Sequence, residues 1–307
     1  MILKYSYLSR HKSIFRAMTG LTLSEFNELL DDVLPRFGEA EEKRLSRPNR
    51  KRAIGGGRQF EMSAVNQILM TVVWLRRYPT HEVLGYLFGV SDSTPSRYIK
   101  RVLPLLEASG RDGMRMPRVG RRGQPLDTLL AETPELAVLI DSFEQRVQRP
   151  EKRAEADQYY SGKKKQHTLK SQVAVDEYTG EFVDISESVQ GPTHDMTLLR
   201  HSDLLNRLPE GIGALGDLAY TGIDKLHPQG LGAAPRKKPR GKERSTEDIA
   251  YNTAFARRRI VVENSIGRLR AYQSLTQTDR QHRQGHTARV HAVAGLVNLQ
   301  VRSRFVH

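Results

Sequence analysis

Two aspartates follow short apolar runs in the second half of this 307-residue chain. Asp141 closes Ala137-Val138-Leu139-Ile140, and Asp217 follows Ala214-Leu215-Gly216. Carboxylates at strand ends of an α/β sheet stand outside the sheet edge, where such sheets place their sites. A third acid, Glu263, lies in Arg259-Ile260-Val261-Val262-Glu263-Asn264-Ser265-Ile266-Gly267, where its apolar neighbours predict a helix with the acid turned inward. An inward acid is costly unless it is paired or bound to a cation. Hard divalent ions take oxygen ligands, and magnesium uses one or two carboxylates together with substrate phosphate. Three carboxylates from two strands and a helix could hold two such ions about 4 Å apart, which activates a hydroxyl and stabilises the departing oxygen in phosphodiester cleavage. Taken singly, each acid is as readily a cap or the partner of a nearby arginine.

The surroundings of the acids are basic. Lys163-Lys164-Lys165, Arg236-Lys237-Lys238 and Arg257-Arg258-Arg259 could neutralise a DNA backbone, although each cluster alone is more often just a solvated face. The whole chain carries 49 Lys plus Arg against 35 Asp plus Glu, a formal charge of +14 that points to polyanionic partners. His194-Asp195 is a further polar pair, in which Asp195 explains itself as the cap of a following helix. With no cysteine, a disulfide framework, a thiolate metal site and a cysteine nucleophile are excluded. No phosphate-binding loop, dinucleotide fingerprint or nucleophile elbow occurs. No apolar run is long enough to cross a bilayer, and the start lacks the apolar block of a signal peptide.

Of the elements that must hold these residues, those in the front third read as helical. Thr22 and Glu25 form a capping box before Leu23, Phe26, Leu29, Leu30 and Val33, with Pro35 near the expected end. Residues 39–59 are a polar connector whose basic residues from Arg47 to Arg58, Arg50, Lys51 and Arg52 among them, could touch phosphates or equally belong to a solvated linker. A buried helix with Trp74 in the core runs from Glu61 to Arg77 and stops at Pro79. A short helix from Thr80, a turn at Gly89 and a third helix to about Leu106 make a helix-turn-helix over about 80–106. Thr94, Ser96, Arg97, Lys100 and Arg101 would decorate its second helix, with Ile99, Val102 and Leu103 inward. Residues 108–130, rich in Gly, Pro and Arg, read as a linker. Beyond it the period changes. Strands are expected at 137–140, 167–175, 181–189 and 212–215, the second and third joined by a hairpin at 176–180. Helices are expected after Asp195, from about Ser245 to Leu269 and from Thr287 to Val301. The expectation is an α/β chain: an all-helical domain over 1–107, then a mixed-layer domain over 131–307.

The ordered motifs resemble bacterial insertion-sequence transposases of the DDE superfamily, in the branch related to the Harbinger transposases. The resemblance runs from Thr19 to Gln300. It rests on Tyr159-Tyr160-Ser161-Gly162-Lys163-Lys164-Lys165-Gln166-His167-Thr168-Leu169-Lys170, on Pro192-Thr193-His194-Asp195 through Leu199, and on Gly216-Asp217-Leu218-Ala219-Tyr220-Thr221-Gly222. The block Val261 to Leu269 and the closing Ala294-Gly295-Leu296-Val297-Asn298-Leu299 complete it. Such a resemblance implies an RNase H-like fold and carries the family's catalytic and metal-holding triad onto Asp141, Asp217 and Glu263. The sequence departs from the family's pattern at Ser142 and Phe143, where Gly or Ala is usual, and at Ala219, which stands in a Gly position.

What this implies is a DNA transposase using magnesium or manganese, two ions, to cleave the ends of its element and join the 3′ ends to target DNA. A metal-dependent endonuclease without strand transfer and a DNA-binding regulator derived from a transposase are the alternatives. A basic RNA-associated structural protein gives no reason for acids to end strands. The expected partners are double-stranded DNA at terminal inverted repeats and at the target, and further copies of the chain in a homodimer or larger oligomer. The expected place is the bacterial cytoplasm, at the nucleoid, with no membrane.

Overall fold

The computed structural model describes residues 3–46, 60–118 and 128–304. Arg50, Lys51 and Arg52 lie outside the described residues, as does the middle of the expected linker. The chain divides into two compact units. One comprises Met1–Gly113, Ala271–Gln277 and Ala288–His307, and the other Met114–Arg270 and Thr278–Thr287. The tail of the chain, expected with the second domain, thus groups with the first.

The first unit is helical: α1 (Lys12–Thr19), α2 (Leu23–Leu45), α3 (Ala64–Arg77), α4 (His81–Phe88) and α5 (Ser93–Gly113). The Thr22 capping box forms in full, with Thr22 Oγ1 accepting from the Glu25 amide and Glu25 accepting from the Thr22 amide. Helix α2 does not stop near Pro35 but runs through it to Leu45, because its apolar stripe continues to buried Phe37. One lost hydrogen bond is outweighed when packing goes on past the proline. Helix α5 likewise passes Pro104 and reaches Gly113 rather than ending at Leu106. Near its end it meets the closing helix, His286–Arg302, at Gly110 and Gly295. A Cβ on Gly110 would stand 2.3 Å from the His291 carbonyl oxygen, so only glycine permits this approach. That contact is what ties the end of the chain to its beginning.

The second unit is built on a mixed sheet. β1 (Ala137–Arg146) pairs antiparallel with β3 (Gln166–Asp176) and parallel with β6 (Gly213–Leu215), which pairs parallel with β7 (Gly232–Ala233). On its far side β3 holds β2 (Tyr160–Ser161), β4 (Phe182–Ile185) and β5 (Val189–Gln190). The single strand expected at 181–189 is broken, because Ser186 replaces a ladder bond with its side chain: its Oγ accepts from the Gln172 amide. β1 is longer than the apolar run that announces it, and continues through Asp141 to Arg146. Helices α6 (Arg153–Tyr159), α7 (Asp195–His201) and α8 (Thr246–Arg270) complete the unit. Val138 and Ile140 point to a core shared with Leu199, Leu204, Ala214, Tyr220 and Ile223, while the alternate residues of β1 face α8. An all-helical region with a helix-turn-helix, followed by this mixed sheet with flanking helices, is an RNase H-like architecture.

Candidate functional site

Parallel pairing sets where the two aspartates stand. Leu139 is the register partner of Leu215, so two residues further along each chain Asp141 and Asp217 come level at the end of β6. Asp217 then caps a short 3-10 turn (Leu218–Tyr220), its Oδ1 accepting from the Ala219 amide at 2.9 Å. Ala219 is exposed and outside the left-handed region, so its Cβ is tolerated where a glycine would be usual. Burial pushes the Asp141 carboxyl up from its ordinary range and the charge of Asp217 adds to this, while Arg259 and the Ser142 amide oppose it. The buried Tyr220 hydroxyl reports the same cluster. Burial raises its pKa well above the usual value, with Asp195, Asp141 and Asp217 adding to the rise and Arg259 opposing it.

Internal cations hold two of these acids, Asp141 and Asp195. Arg259 Nη2 donates to Asp141 Oδ2 at 2.9 Å, from a residue only 8 % exposed whose Nε is buried without a hydrogen-bond partner. Lys170 Nζ lies 3.1 Å from Asp195 Oδ1 and donates to the Thr193 carbonyl. Ser142 Oγ donates to Asp195 at 2.7 Å. That bond gives the serine a task which Gly or Ala could not perform. Asp195 is therefore not the helix cap expected from the sequence. His194 occupies the N-cap position without a side-chain cap bond, and Asp195, in the first turn of α7, is engaged with Ser142 and Lys170.

Glu263 does not turn inward as expected. It is exposed, and so is Ile260 beside it, at 54 %. The buried face of α8 runs through Tyr251, Phe255, Arg259, Val262, Ile266 and Leu269. At about 100° per residue, Arg259 lies at the border of that arc and Glu263 about 40° beyond it. The helix thus presents a guanidinium to Asp141 where the sequence suggested a carboxylate. Among the described residues, no group of three or more Asp, Glu or His side chains is gathered to hold a metal ion. The donor chemistry of Asp141 and Asp217 suits a hard cation, but the residues as arranged do not fit one, because Arg259 occupies Asp141 and the third acid is outside.

The basic residues sort in the same way. Arg97 and Lys100 are exposed on α5. Arg101 is turned into its own unit, with Nε 3.0 Å from Glu41 and its guanidinium 4.1 Å from the centre of the Phe60 ring. Thr94, expected on the surface, is buried and hydrogen-bonded to Ser91. Lys163, Lys164 and Lys165 are exposed at the β2–β3 turn, as are Lys237 and Lys238 in the loop before α8. Their sequence neighbour Arg236 binds Glu247 and Asp248. Arg258 pairs with Glu177 and donates to the Pro134 carbonyl, and Arg259 holds Asp141, so of the Arg257-Arg258-Arg259 run only Arg257 is exposed. Sequence reasoning missed Ser142 and Lys170 and misread Arg259. The signals were a lysine in the middle of an expected strand and an arginine at the head of an apolar helical stretch, one turn before an acid.

Residues 140–298 match the family described as DDE superfamily endonuclease, and residues 60–112 the helix-turn-helix of DDE superfamily endonuclease. The chain belongs to the DDE superfamily of endonucleases. Over 287 residues it is 28 % identical to a probable transposase for insertion sequence element IS702 from Microchaete diplosiphon, with 94 % of each chain covered. No solved structure matches the chain.

Proposed function

We propose that this chain is a DNA transposase of the branch related to Harbinger transposases, which cleaves the ends of its element and joins the freed 3′ ends to target DNA. The observation that carries the reading is the level register of Asp141 and Asp217, inside a family match that also contains Glu263. In this reading those three acids are the catalytic residues. Lys170 and Ser142 hold Asp195 as a support beside them, with His194 at the same helix start. The helical region over 1–107 binds terminal inverted repeats through Arg97, Lys100 and the connector that carries Arg50, Lys51 and Arg52. Lys163, Lys164, Lys165, Lys237 and Lys238 face the DNA backbone. The protein works on DNA at the bacterial nucleoid as a homodimer or larger oligomer.

The expectation of two magnesium or manganese ions asks for a change of partners. Arg259 must leave Asp141, and Glu263, one turn further along the same helix, must take its place. Cleavage without joining is the second reading, favoured by the description of the family as endonucleases. Incubating the purified protein with terminal-repeat DNA, a plasmid target and magnesium separates the two. The proposed function gives plasmid carrying covalently joined ends, whereas cut ends with no joined product would leave only the nuclease.

A further inference from the structure

Beyond the acids, β1 continues to Arg146 and ends beside an open pocket of about 360 Å³. That volume falls within the range of small-ligand clefts, roughly 300–1,000 Å³. The floor is fixed by backbone: the Val147 amide donates to the His167 carbonyl and the Asp279 amide to the Arg146 carbonyl. Arg146, Arg149 and Lys165 line the pocket, and among the described residues no carboxylate does. Lys165, one of the lining residues, sits at a left-handed turn position, φ 55°. One wall is Tyr160, 44 % exposed, whose ring meets His167 edge-on at 5.5 Å between centroids. Three cations without an acid, beside an accessible aromatic ring, are the elements with which proteins hold single-stranded nucleic acid: cations for phosphates and a ring face for a base.

We propose that this pocket takes an unpaired nucleotide of the DNA strand being processed. Its flanking phosphates lie against Arg146, Arg149 and Lys165, and its base stacks on Tyr160. The proposal rests on the reading of Asp141 and Asp217 as the cleavage site, and adds to it a place for the strand. From Asp141 to Arg146 the strand rises about 17 Å, at roughly 3.4 Å per residue. That span corresponds to about five steps of a B-form DNA strand, at about 3.4 Å per charge on each strand. Five residues apart, Asp141 and Arg146 leave β1 on opposite faces, so an unpaired stretch next to the cut reaches the pocket past the end of the sheet.

The test is fluorescence anisotropy on the full chain in EDTA, where nothing is cut. Three versions of one terminal duplex are compared: blunt, with a five-nucleotide single-stranded overhang, and with the same overhang made of abasic sites. The wild type is expected to bind the base-bearing overhang about tenfold more tightly than the abasic one. Tyr160→Ala should remove that excess while leaving blunt binding unchanged, and Arg149→Ala with Lys165→Ala should weaken both overhangs together. Tyr160 is exposed, so its loss leaves the core intact. Equal binding of base-bearing and abasic overhangs by the wild type, or an unchanged excess in Tyr160→Ala, would overturn the proposal. Because binding in EDTA does not depend on cleavage, failure of the catalytic reading shows up separately, as cutting that survives Asp141→Asn.

Discussion

Along β1 two charged regions stand within one strand's length of each other, and they are organised in opposite ways. Around Asp141 the acids are matched from within the fold: Arg259 on Asp141, and Lys170 with Ser142 on Asp195. Around Arg146 three cations line an open pocket that, among the described residues, no carboxylate lines. A region whose charges are satisfied internally is held in place before any ligand arrives, and must exchange partners to act. A region of one unbalanced sign attracts its ligand directly and loses that attraction as salt rises. Charge counted along the sequence does not separate the two cases. Arg258 and Arg259 serve the fold, while Lys163, Lys164 and Lys165 are exposed at a turn.

The largest effect expected from breaking this contrast is on chemistry. Asp217→Asn should lower strand cleavage by at least about 10²–10³-fold, the scale on which single electrostatic groups act in active sites. It should leave DNA affinity within about twofold. Single-turnover cleavage alongside mobility shift measures both; cleavage near the wild-type rate would remove Asp217 from the site.

Next in size is stability. Arg259→Met leaves Asp141 buried and unpaired, which costs about 3 kcal/mol, the lower end of the range for a broken buried pair because Asp141 retains some exposure. Adding Asp141→Asn should recover much of the loss, since the two side chains answer each other. Urea unfolding of the two single variants and the double one reads the coupling. Strict additivity would mean that the pair is incidental.

Smaller effects divide the basic residues. Arg97→Ala with Lys100→Ala should make the salt dependence of terminal-DNA binding shallower, by about 0.9 in the log–log slope for each phosphate that is no longer neutralised. Arg101→Ala should instead lower stability by about 1 kcal/mol, through its interactions with Phe60 and Glu41. A shallower slope in Arg101→Ala at unchanged stability would return that arginine to the DNA face.

The smallest concerns pH. Burial raises Glu177 above the usual carboxylate range in spite of Arg258, and Asp141 is raised in the same direction. The native state therefore holds protons that the unfolded chain has already released. Stability should fall as pH rises from the ordinary carboxylate range through the raised native values. Glu177→Gln should flatten this slope in chemical denaturation measured from pH 4 upward, and an unchanged profile would assign the slope elsewhere.

Much of the architecture could be read from local pattern. The Thr22 capping box, the buried helix around Trp74, the Gly89 turn and the hairpin at 176–180 are written in short-range spacing, and they form as read. Errors arose where tertiary packing overrides a local signal. Pro35 and Pro104 are passed because apolar stripes continue beyond them. The Gly110–Gly295 approach joins positions far apart in sequence, so it brings the tail to the first unit with no local trace. The two aspartates could be placed from the sequence because each follows an apolar run, and parallel pairing makes them level. Glu263 was misread because apolar neighbours on both sides conceal which arc of the helix is buried. A shift of about 40° on the wheel separates an inward arginine from an outward acid.

That shift holds the central claim: Glu263 acts with Asp141 and Asp217, although Arg259 stands beside Asp141 in this arrangement. The direct measurement is single-turnover cleavage of terminal-repeat DNA in magnesium by Glu263→Gln, with mobility shift on the same protein preparation. Cleavage is expected to be lost to the same degree as in Asp217→Asn, with DNA affinity retained. Cleavage by Glu263→Gln at the wild-type rate would contradict it and leave the two aspartates as the whole acidic site.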